Sequence, residues 1–452
     1  MTRQATSDPQ IDAALSLLDA QITDDVARQA APGISVSIVR DQATIWSRGF
    51  GLADIARKVP ATPETVYAVG SITKLFTATM LMQLRDAGKL RLDDAVTDYL
   101  PDVDVPHRHA EAPPISFRNL VTHTSGLSKD APTDYWATNS FPPIERLLEL
   151  MPETEQPYPP LTRWKYSNLA IALMGHALSR IAGESWDSYV ERRILAPLGM
   201  TKTAPRLTDR VRAQTAQGYA RPVSGWPPSS FPHRDLGGIS FGGSLHSSVA
   251  DMARFIAAQF SATPRLLKRS TVLEMQRLQW LNDDWQTGQG IGWRVHRATD
   301  GSTRIEHGGG VYGFTCKLLL SPADRLGIAV FTNGSDGTVG QKWATRALDL
   351  LAPICRQSEA PAPPTAMPEA WRAYVGRYRW ALGDVEVVIR GDELILLSPL
   401  GLGVEEVKLR PESDQVFRLL GGSVHGERLR FIPDAGGRIA RAWVGPHPHD
   451  RI

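Results

Sequence analysis

The stretch Gly70-Ser71-Ile72-Thr73-Lys74 decides how the rest of this chain is interpreted. It opens the segment ITKLFTATMLMQLRDAGK (residues 72–89), whose apolar residues recur at helical spacing. Ser71 and Lys74 are three positions apart, so on a helix their side chains share one face, roughly 5–6 Å apart. The positive end of a helix dipole stabilises an alkoxide on the serine, and a neutral lysine amine can accept the serine proton. The pair predicts a serine nucleophile with a lysine base, although an N-capping serine beside a solvent-facing lysine fits the same pattern.

A second pattern, Tyr166-Ser167-Asn168, comes directly before the apolar segment NLAIALMGHALSRIAG (residues 168–183). A phenol close to a lysine can relay protons, and an amide can hold either a substrate amide or the lysine. The structural alternative is that Asn168 caps the following helix and Tyr166 only packs. The pattern by itself leaves both interpretations open.

A third pattern places His307 at the end of a strand, followed by Gly308, Gly309 and Gly310. Glycines let backbone N–H groups approach a ligand closely, as an oxyanion-binding site requires. A glycine hairpin beside a structural histidine is the alternative, and the local sequence does not separate the two.

In this order, Ser-x-x-Lys, Tyr-x-Asn and His-Gly-Gly resemble the three-part signature of the serine β-lactamase and penicillin-binding-protein superfamily. The resemblance covers about residues 30–354 and includes the segments PGISVSIVRD, TPETVYAVGSITK, SFRNLVTHTSGL, ILAPLGMTKT and HGGGVYGFTCKLLLSPADRLGIAVFTN. It implies an α+β fold of the β-lactamase/transpeptidase type. An antiparallel sheet flanked by helices would pack beside a mostly helical region, with the active site in the cleft between them.

The resemblance also implies roles for individual residues. Ser71 would be the acylated nucleophile and Lys74 its base, with Tyr166 moving protons to and from the leaving group. The oxyanion hole would use the backbone N–H groups of Ser71 and Gly310. His307 would be a further catalytic residue on the wall of the cleft. The residues that bind the substrate would be Asn168, Gly308, Gly309 and Gly310.

One departure from the usual pattern bears on the substrate. Many β-lactamases carry the lysine of a Lys-Thr-Gly triplet where this chain has His307, and a histidine removes the permanent cation that would bind a β-lactam carboxylate. Histidine is usual in the class C-like branch that contains family VIII esterases and D-aminopeptidases. No glutamate stands in a deacylation context like that of class A enzymes.

The sequence therefore predicts a serine hydrolase that acts through an acyl-enzyme on carboxylic esters or amides, either an esterase or a D-stereoselective peptidase. The alternatives are a penicillin-binding-protein-type thioesterase or cyclase, which transfers a peptidyl group to an amine, and a weak β-lactamase. A non-catalytic penicillin sensor is disfavoured, because such sensors signal across a membrane and no apolar run of 18 residues occurs.

Three other features of the sequence are candidate sites. Gly238-Ile239-Ser240-Phe241-Gly242 matches the G-x-S-x-G nucleophile elbow, but the preceding SSFPHRDLGG cannot form the apolar strand that an elbow needs. His107 and His109 lack a third ligand nearby, which indicates a solvated loop and no metal site. Cys316 and Cys355 are the only cysteines, without a C-x-x-C pairing, and are expected to be buried thiols.

Composition limits the partners of the 452-residue chain. With 50 Lys and Arg against 48 Asp and Glu, the net charge of +2 disfavours nucleic-acid binding. The N-terminus lacks the pattern of a secretory signal, so a cytoplasmic protein without membrane contact is expected. The predicted partner is a small-molecule ester or peptide substrate, no cofactor is expected, and assembly into a homo-oligomer is left open.

The domain organisation follows from a change in composition near residue 357. Residues 1–356 are predicted to form the hydrolase domain. The segment QSEAPAPPTAMP opens a Pro-rich linker at residues 357–369. Residues 370–452 contain short strand patterns broken by Gly, Asp and Pro, which predict a small β-barrel. This module resembles the lipocalin-like domain that follows some penicillin-binding-protein-like peptidases, and it is too short to favour a ligand-filled lumen.

Overall fold

The computed structural model describes residues 2–3, 8–28, 31–221, 228–261, 263, 265–359, 368–381, 383–398 and 405–452. The chain divides into two compact units, Met1–Ser358 and Glu359–Ile452. Residues 360–367, which make up most of the predicted linker, lie outside the described residues. None of the helices in the described ranges combines the length and apolar character that crossing a bilayer requires.

The first unit is built on a large antiparallel sheet with the order β1-β3-β2-β14-β13-β12-β11-β10-β9, and β4 pairs with β3 outside this order. The N-terminal and C-terminal strands of this unit meet in the sheet where β2 pairs with β14. The strands of this unit are β1 (Thr2–Arg3), β2 (Gly33–Arg40), β3 (Ala43–Asp54), β4 (Val59–Pro60), β5 (Tyr67–Ala68), β6 (Gly218–Tyr219), β7 (Ser230–Phe231), β8 (His246–Ser247), β9 (Trp280–Leu281), β10 (Thr287–Gln289), β11 (Arg294–Arg297), β12 (Thr303–Val311), β13 (Phe314–Ser321) and β14 (Leu326–Thr332).

Helices cover both faces of this sheet and provide most of the regular secondary structure between β5 and β9. They are α1 (Pro9–Ala27), α2 (Thr73–Asp86), α3 (Phe117–Val121), α4 (Tyr135–Thr138), α5 (Ile144–Glu149), α6 (Asn168–Ala182), α7 (Trp186–Val190), α8 (Ala196–Leu198), α9 (Asp209–Arg212), α10 (Val249–Phe260), α11 (Arg269–Gln276) and α12 (Gly337–Glu359). Shorter 3-10 turns include Gly70–Ile72 and Gly237–Gly242. The predicted α+β architecture, a sheet with helices beside a mostly helical region, is confirmed.

The central strands of the sheet are buried on both faces because their side chains alternate between two cores. On β14, Ile328 and Val330 join a core shared with α1 and α12. Ala329 and Phe331, which point to the opposite face, join the larger core that includes α2 and α10. The sheet therefore forms a rigid layer through the middle of the unit.

Helix α2 differs from the prediction, which gave it a single apolar stripe. It is buried almost all round, including the polar side chains of Thr77 and Thr79. Thr77 donates a hydrogen bond to the Phe241 carbonyl at 2.5 Å, and Thr79 donates to the carbonyl of Leu75 in its own helix at 2.7 Å. Hydroxyl groups that find partners inside the protein can be buried without a large cost, so α2 is a central helix.

The second unit is a closed eight-stranded barrel in which each strand pairs with its neighbour in sequence and the last pairs with the first. The predicted small β-barrel is confirmed. Buried aliphatic and aromatic side chains, including Tyr378, Phe417 and Phe431, form its core. The strands are β15 (Gly376–Trp380), β16 (Gly383–Arg390), β17 (Glu393–Ser398), β18 (Glu405–Ser413), β19 (Val416–Leu420), β20 (Arg428–Pro433), β21 (Ile439–Val444) and β22 (His447–Arg451).

Candidate active site

Ser71 lies in the 3-10 turn Gly70–Ile72, immediately before α2, and this turn packs against the glycines of β12. A Cβ atom added to Gly309 would lie only 1.9 Å from the Val69 carbonyl oxygen. Gly70 has φ +52°, and a Cβ atom there would lie 2.7 Å from the Gly310 nitrogen. Only glycine permits this backbone-to-backbone approach, which brings the Gly310 N–H close to the turn that carries Ser71.

The amine of Lys74 is buried beside Ser71, and the side chain is only 2% exposed. Its Nζ atom lies 3.1 Å from Ser71 Oγ, 3.0 Å from Asn168 Oδ1 and 2.8 Å from the carbonyl oxygen of Gly242. The amide and carbonyl oxygens can only accept hydrogen bonds, so they engage two N–H groups of the amine. The third direction points at Ser71 Oγ, where an ammonium donates a hydrogen bond and a neutral amine accepts one.

Tyr166 approaches Ser71 from another side. Its hydroxyl group donates a hydrogen bond to Ser71 Oγ at 2.7 Å, and Lys74 Nζ lies 4.9 Å from the centre of its ring. The buried imidazole of His123 packs on this ring at a centroid distance of 4.6 Å. The phenol, the serine hydroxyl and the lysine amine therefore form one connected group.

The N-cap of α6 is Ser167, whose hydroxyl accepts a hydrogen bond from the Ala170 N–H. The alternative that Asn168 is the capping residue is thereby wrong. Because Ser167 takes the capping role, the Asn168 side chain is free to accept from Lys74 and to donate from Nδ2 to Asp130 Oδ1 at 3.0 Å. Asp130 fixes which way the Asn168 amide faces, since a carboxylate can only accept.

His307 is 4% exposed and lies on the wall of the cleft. Its Nδ1 atom is 2.7 Å from the Gly308 carbonyl oxygen, which can only accept, so Nδ1 carries the proton and Nε2 has a free lone pair. Burial lowers the pKa of His307 to about 3. His307 is therefore an uncharged imidazole at neutral pH.

Two cavities flank Ser71, and Tyr166 and Gly310 line both. One of about 160 Å³ has an apolar wall that includes Trp136, Leu236 and Val311. The other, of about 300 Å³, lies on the His307 side, and its lining residues include His123, Trp164, Gln289 and Arg294.

The family follows from a profile match. The Beta-lactamase family profile matches residues 18–352, about three quarters of the chain. This chain belongs to the beta-lactamase family. Among the relatives of this beta-lactamase-family protein, penicillin-binding protein 4 of Amycolatopsis lactamdurans is 28% identical over 318 residues, covering 68% of this chain and 82% of that protein. Beta-lactamase-like protein 2 of Dictyostelium discoideum is 30% identical over 289 residues, covering 61% of this chain and 51% of that protein. The match thus spans about half the length of the Dictyostelium relative.

Solved structures extend the likeness of this beta-lactamase-family chain over nearly its whole length. The octameric penicillin-binding protein homologue from Pyrococcus abyssi superposes with a TM-score of 0.65 at 24% identity, covering 96% of this chain and 99% of that one. SurE superposes with a TM-score of 0.60 at 24% identity, and the match covers 98% of this chain and 99% of SurE. These similarities establish the fold.

The other candidate sites in the sequence of this beta-lactamase-family protein, at Ser240, at His109 and at the two cysteines, have structural roles. Ser240 is fully buried in the 3-10 turn Gly237–Gly242, and its Oγ accepts a hydrogen bond from Arg206 at 3.0 Å. No strand leads into this turn from the residues described just before it, so the elbow geometry is not formed. Nε2 of His109 lies 2.9 Å from the Gln156 carbonyl oxygen. Cys316 and Cys355 are buried free thiols, as predicted.

Four residues of this beta-lactamase-family site were not identified from the sequence: Asp130, His123, Trp164 and Arg294. His123 lies within the SFRNLVTHTSGL segment and Asp130 follows it by three residues, so their positions in or beside a resembling segment were the available signal. Trp164 and Arg294 stand outside the three motifs.

Proposed function

We propose that this beta-lactamase-family protein is a serine hydrolase that forms an acyl-enzyme on Ser71. The observation that carries the proposal is the joint contact of Ser71 Oγ with Lys74 Nζ at 3.1 Å and with Tyr166 OH at 2.7 Å. A nucleophile needs a base within hydrogen-bond reach, and the base needs a third group that orients it. Asn168 Oδ1 and the Gly242 carbonyl supply that orientation by engaging the other two N–H directions of the amine.

The same contacts give a balanced reaction. The Ser71 hydroxyl proton passes to the neutral Lys74 amine as Oγ bonds to the substrate carbonyl carbon. The carbonyl oxygen becomes an oxyanion, which accepts hydrogen bonds from the backbone N–H groups of Ser71 and Gly310. As the bond to the leaving group breaks, the proton moves from Lys74 through Tyr166 to the leaving oxygen or nitrogen. Water then attacks the acyl-enzyme by the same route and frees the acid.

Reaction with an active-site-directed fluorophosphonate tests this assignment. Intact-mass spectrometry should show one added phosphonyl group, and peptide mapping should place it on Ser71. Labelling of Ser240, or of no serine, would contradict the proposal.

For Asn168, the contacts support a positioning role in addition to the substrate contact that the resemblance implies. Both of its amide atoms already have partners, Lys74 on one side and Asp130 on the other. The chain Asp130–Asn168–Lys74 holds the amine at the distance from Ser71 that proton transfer requires. Gly308, Gly309 and Gly310 would form the strand edge along which the substrate lies.

The charges around the larger cavity support one of the two substrate classes. His307 is uncharged, whereas the Arg294 guanidinium lies 5.1 Å from the ring of Trp164 and lines the same cavity. A guanidinium stacked on an indole is held in place and offers paired N–H donors to a carboxylate. Between the two substrates expected from the sequence, this arrangement favours a peptide with a free carboxylate over a neutral ester.

Arg294→Ala is expected to separate these two substrates. Losing a charge-assisted hydrogen bond of about 1.5–3 kcal/mol should reduce kcat/KM roughly 10- to 150-fold for a D-peptide with a free C-terminal carboxylate. The same peptide with an amidated C-terminus, and p-nitrophenyl butyrate, should be affected much less. Arg297→Ala removes an exposed arginine from the same strand, β11, and is the matched control. Equal losses on the charged and amidated peptides would refute the assignment.

His307→Ala is expected to lower kcat/KM by roughly tenfold, because an uncharged imidazole contributes one hydrogen bond and no proton transfer. With the pKa of His307 at about 3, the pH–rate profiles of the native protein and the variant should have the same shape between about pH 5 and 8. Profiles measured with p-nitrophenyl butyrate check this. A step near pH 6.5 that disappears in the variant would show that His307 titrates during catalysis.

Self-assembly is a further part of the proposal. A structural neighbour that covers 96% of this chain is an octamer, which supports a homo-oligomer for this protein as well. Light scattering after size-exclusion chromatography measures it directly, and a mass of one chain would exclude it.

A further inference from the structure

A third cavity, of about 240 Å³, adjoins the apolar cavity at Ser71. We call it the Arg234 cavity, and its lining residues include Arg206, Arg212, His233, Arg234, Asp235 and His246. Leu236 lines both the Arg234 cavity and the apolar cavity at Ser71. A narrow space of about 20 Å³ lies next to both cavities, because Arg234 lines it together with the Arg234 cavity and Val311 lines it together with the apolar cavity at Ser71. The Arg234 cavity is thus an extension of the catalytic cleft.

The three arginines of the Arg234 cavity differ in how far carboxylates neutralise them. Arg206 is paired with Asp187 at 2.6 Å and Asp235 at 3.0 Å. Among the described residues, Arg212 pairs with one carboxylate, Asp209, at 3.5 Å, and this pair is largely exposed and therefore weak. For Arg234, no carboxylate of the described ranges lies within salt-bridge distance. Arg212 and Arg234 leave the cavity with positive charge to offer a ligand.

The two histidines shape the Arg234 cavity without adding charge. His233 stacks on Phe314 at a centroid distance of 5.9 Å, and its pKa is lowered by burial and by the charge of Arg212. His246 is 6% exposed, and burial lowers its pKa to about 4. At neutral pH the positive charge therefore comes from guanidinium groups, which match the geometry of carboxylate and phosphate oxygens.

We infer that the Arg234 cavity binds an anionic group, a carboxylate or a phosphate, at the far end of the acyl chain that is transferred to Ser71. This inference rests on the proposed function. Leu236, Val311 and Phe314 form an apolar part of the lining between the two cavities, so the acyl chain would carry an apolar spacer between its reactive carbonyl and its anionic end. The ligand class is an acyl donor with a terminal anion.

Chain-length series of p-nitrophenyl esters test the inference. In the anionic series, one end of a dicarboxylic acid is the p-nitrophenyl ester and the other end is a free carboxylate. In the neutral series, a methyl ester replaces that free carboxylate. The native protein should prefer the anionic ester by roughly tenfold in kcat/KM at one chain length and not at shorter ones. Arg234→Ala and Arg212→Ala/Arg234→Ala should lose that preference and keep their kcat/KM on the neutral esters. Arg277→Ala, an exposed arginine at the end of α11, should behave like the native protein.

Two further experiments distinguish a bound carboxylate from a bound phosphate, and an anion on the acyl chain from a free anion. An acyl chain ending in a phosphate monoester compares phosphate with carboxylate. Inorganic phosphate should inhibit turnover of the anionic ester in the native protein and not in Arg234→Ala. If inorganic phosphate binds but no acyl chain with a terminal anion is preferred, the cavity holds a free anion and the inference is overturned.

The ester measurements distinguish a failure of the inference about the Arg234 cavity from a failure of the proposed function. A native protein that hydrolyses the neutral esters without any preference at any chain length, or one whose preference survives in Arg212→Ala/Arg234→Ala, overturns the inference and leaves the proposed function intact. A native protein that hydrolyses none of the esters overturns the proposed function. In that case the inference as stated also falls, and isothermal titration with inorganic phosphate shows whether any anion site remains.

Discussion

Ser71→Ala is expected to abolish turnover, lowering kcat for p-nitrophenyl butyrate by on the order of 10⁴-fold or more. The variant removes the atom that bonds to the acyl group, and neither Lys74 nor Tyr166 can replace it as a nucleophile. The substitution deletes one hydroxyl from a 3-10 turn, so the folded state should persist. Steady-state rates, together with circular dichroism and a thermal melt, measure both effects.

The matched control for Ser71→Ala is Ser240→Ala, which removes a serine hydroxyl from the other candidate motif. Ser240 is fully buried against Arg206, so its loss should change stability slightly and leave turnover of a neutral ester near the native rate. If Ser240→Ala were inactive and Ser71→Ala active, the assignment of the nucleophile would be reversed.

Lys74→Ala is expected to lower kcat by on the order of 10³-fold, the range typical of a lost general base. It also leaves the Gly242 carbonyl and Asn168 Oδ1 without the N–H groups that they accept in the native protein. Each buried acceptor without a partner costs about 1–3 kcal/mol, so the free energy of unfolding should fall as well. Rates must therefore be measured well below the melting temperature of the variant.

Two comparisons separate catalysis by Lys74 from stabilisation. Lys89→Ala removes an exposed lysine just beyond the end of α2 and should retain the native rate. Small primary amines added to Lys74→Ala should restore part of the activity, in proportion to the fraction of amine that is unprotonated. A folded Lys74→Ala variant with a native rate would remove the base from the proposed mechanism.

The fold could be predicted where local pattern and family resemblance agree. Strand β14 (LGIAVFT) has a nearly continuous apolar run, which a strand buried on both faces requires. Strand β2 is also buried along almost its whole length, although Ser35 and Ser37 interrupt its apolar residues. The burial of α2 on all sides could not be predicted, because two threonines interrupt its apolar residues. Their partners, one of them the Phe241 carbonyl far along the chain, exist only in the folded protein.

The candidate site shows the same division. Ser71, Lys74 and Tyr166 lie in motifs, and the structure brings Lys74 and Tyr166 within hydrogen-bond distance of Ser71 Oγ. Asp130 and Arg294 come from segments without a motif and reach the cleft through tertiary packing. The sequence alone indicates which residues take part in the reaction. The charges that select a substrate depend on which loops fold over the cleft, and this is known only from the structure.

The tight packing of Gly309 against the Val69 carbonyl has a consequence for protein engineering. A side chain at position 309 would push β12 away from the turn that carries Ser71, so libraries aimed at new substrates should leave that glycine untouched. Trp136 and Leu236 line the apolar cavity at Ser71 and stand outside that turn and strand. Randomising those two positions alters the shape of the cleft while the nucleophile keeps its place, which makes them the starting points for redirecting this scaffold.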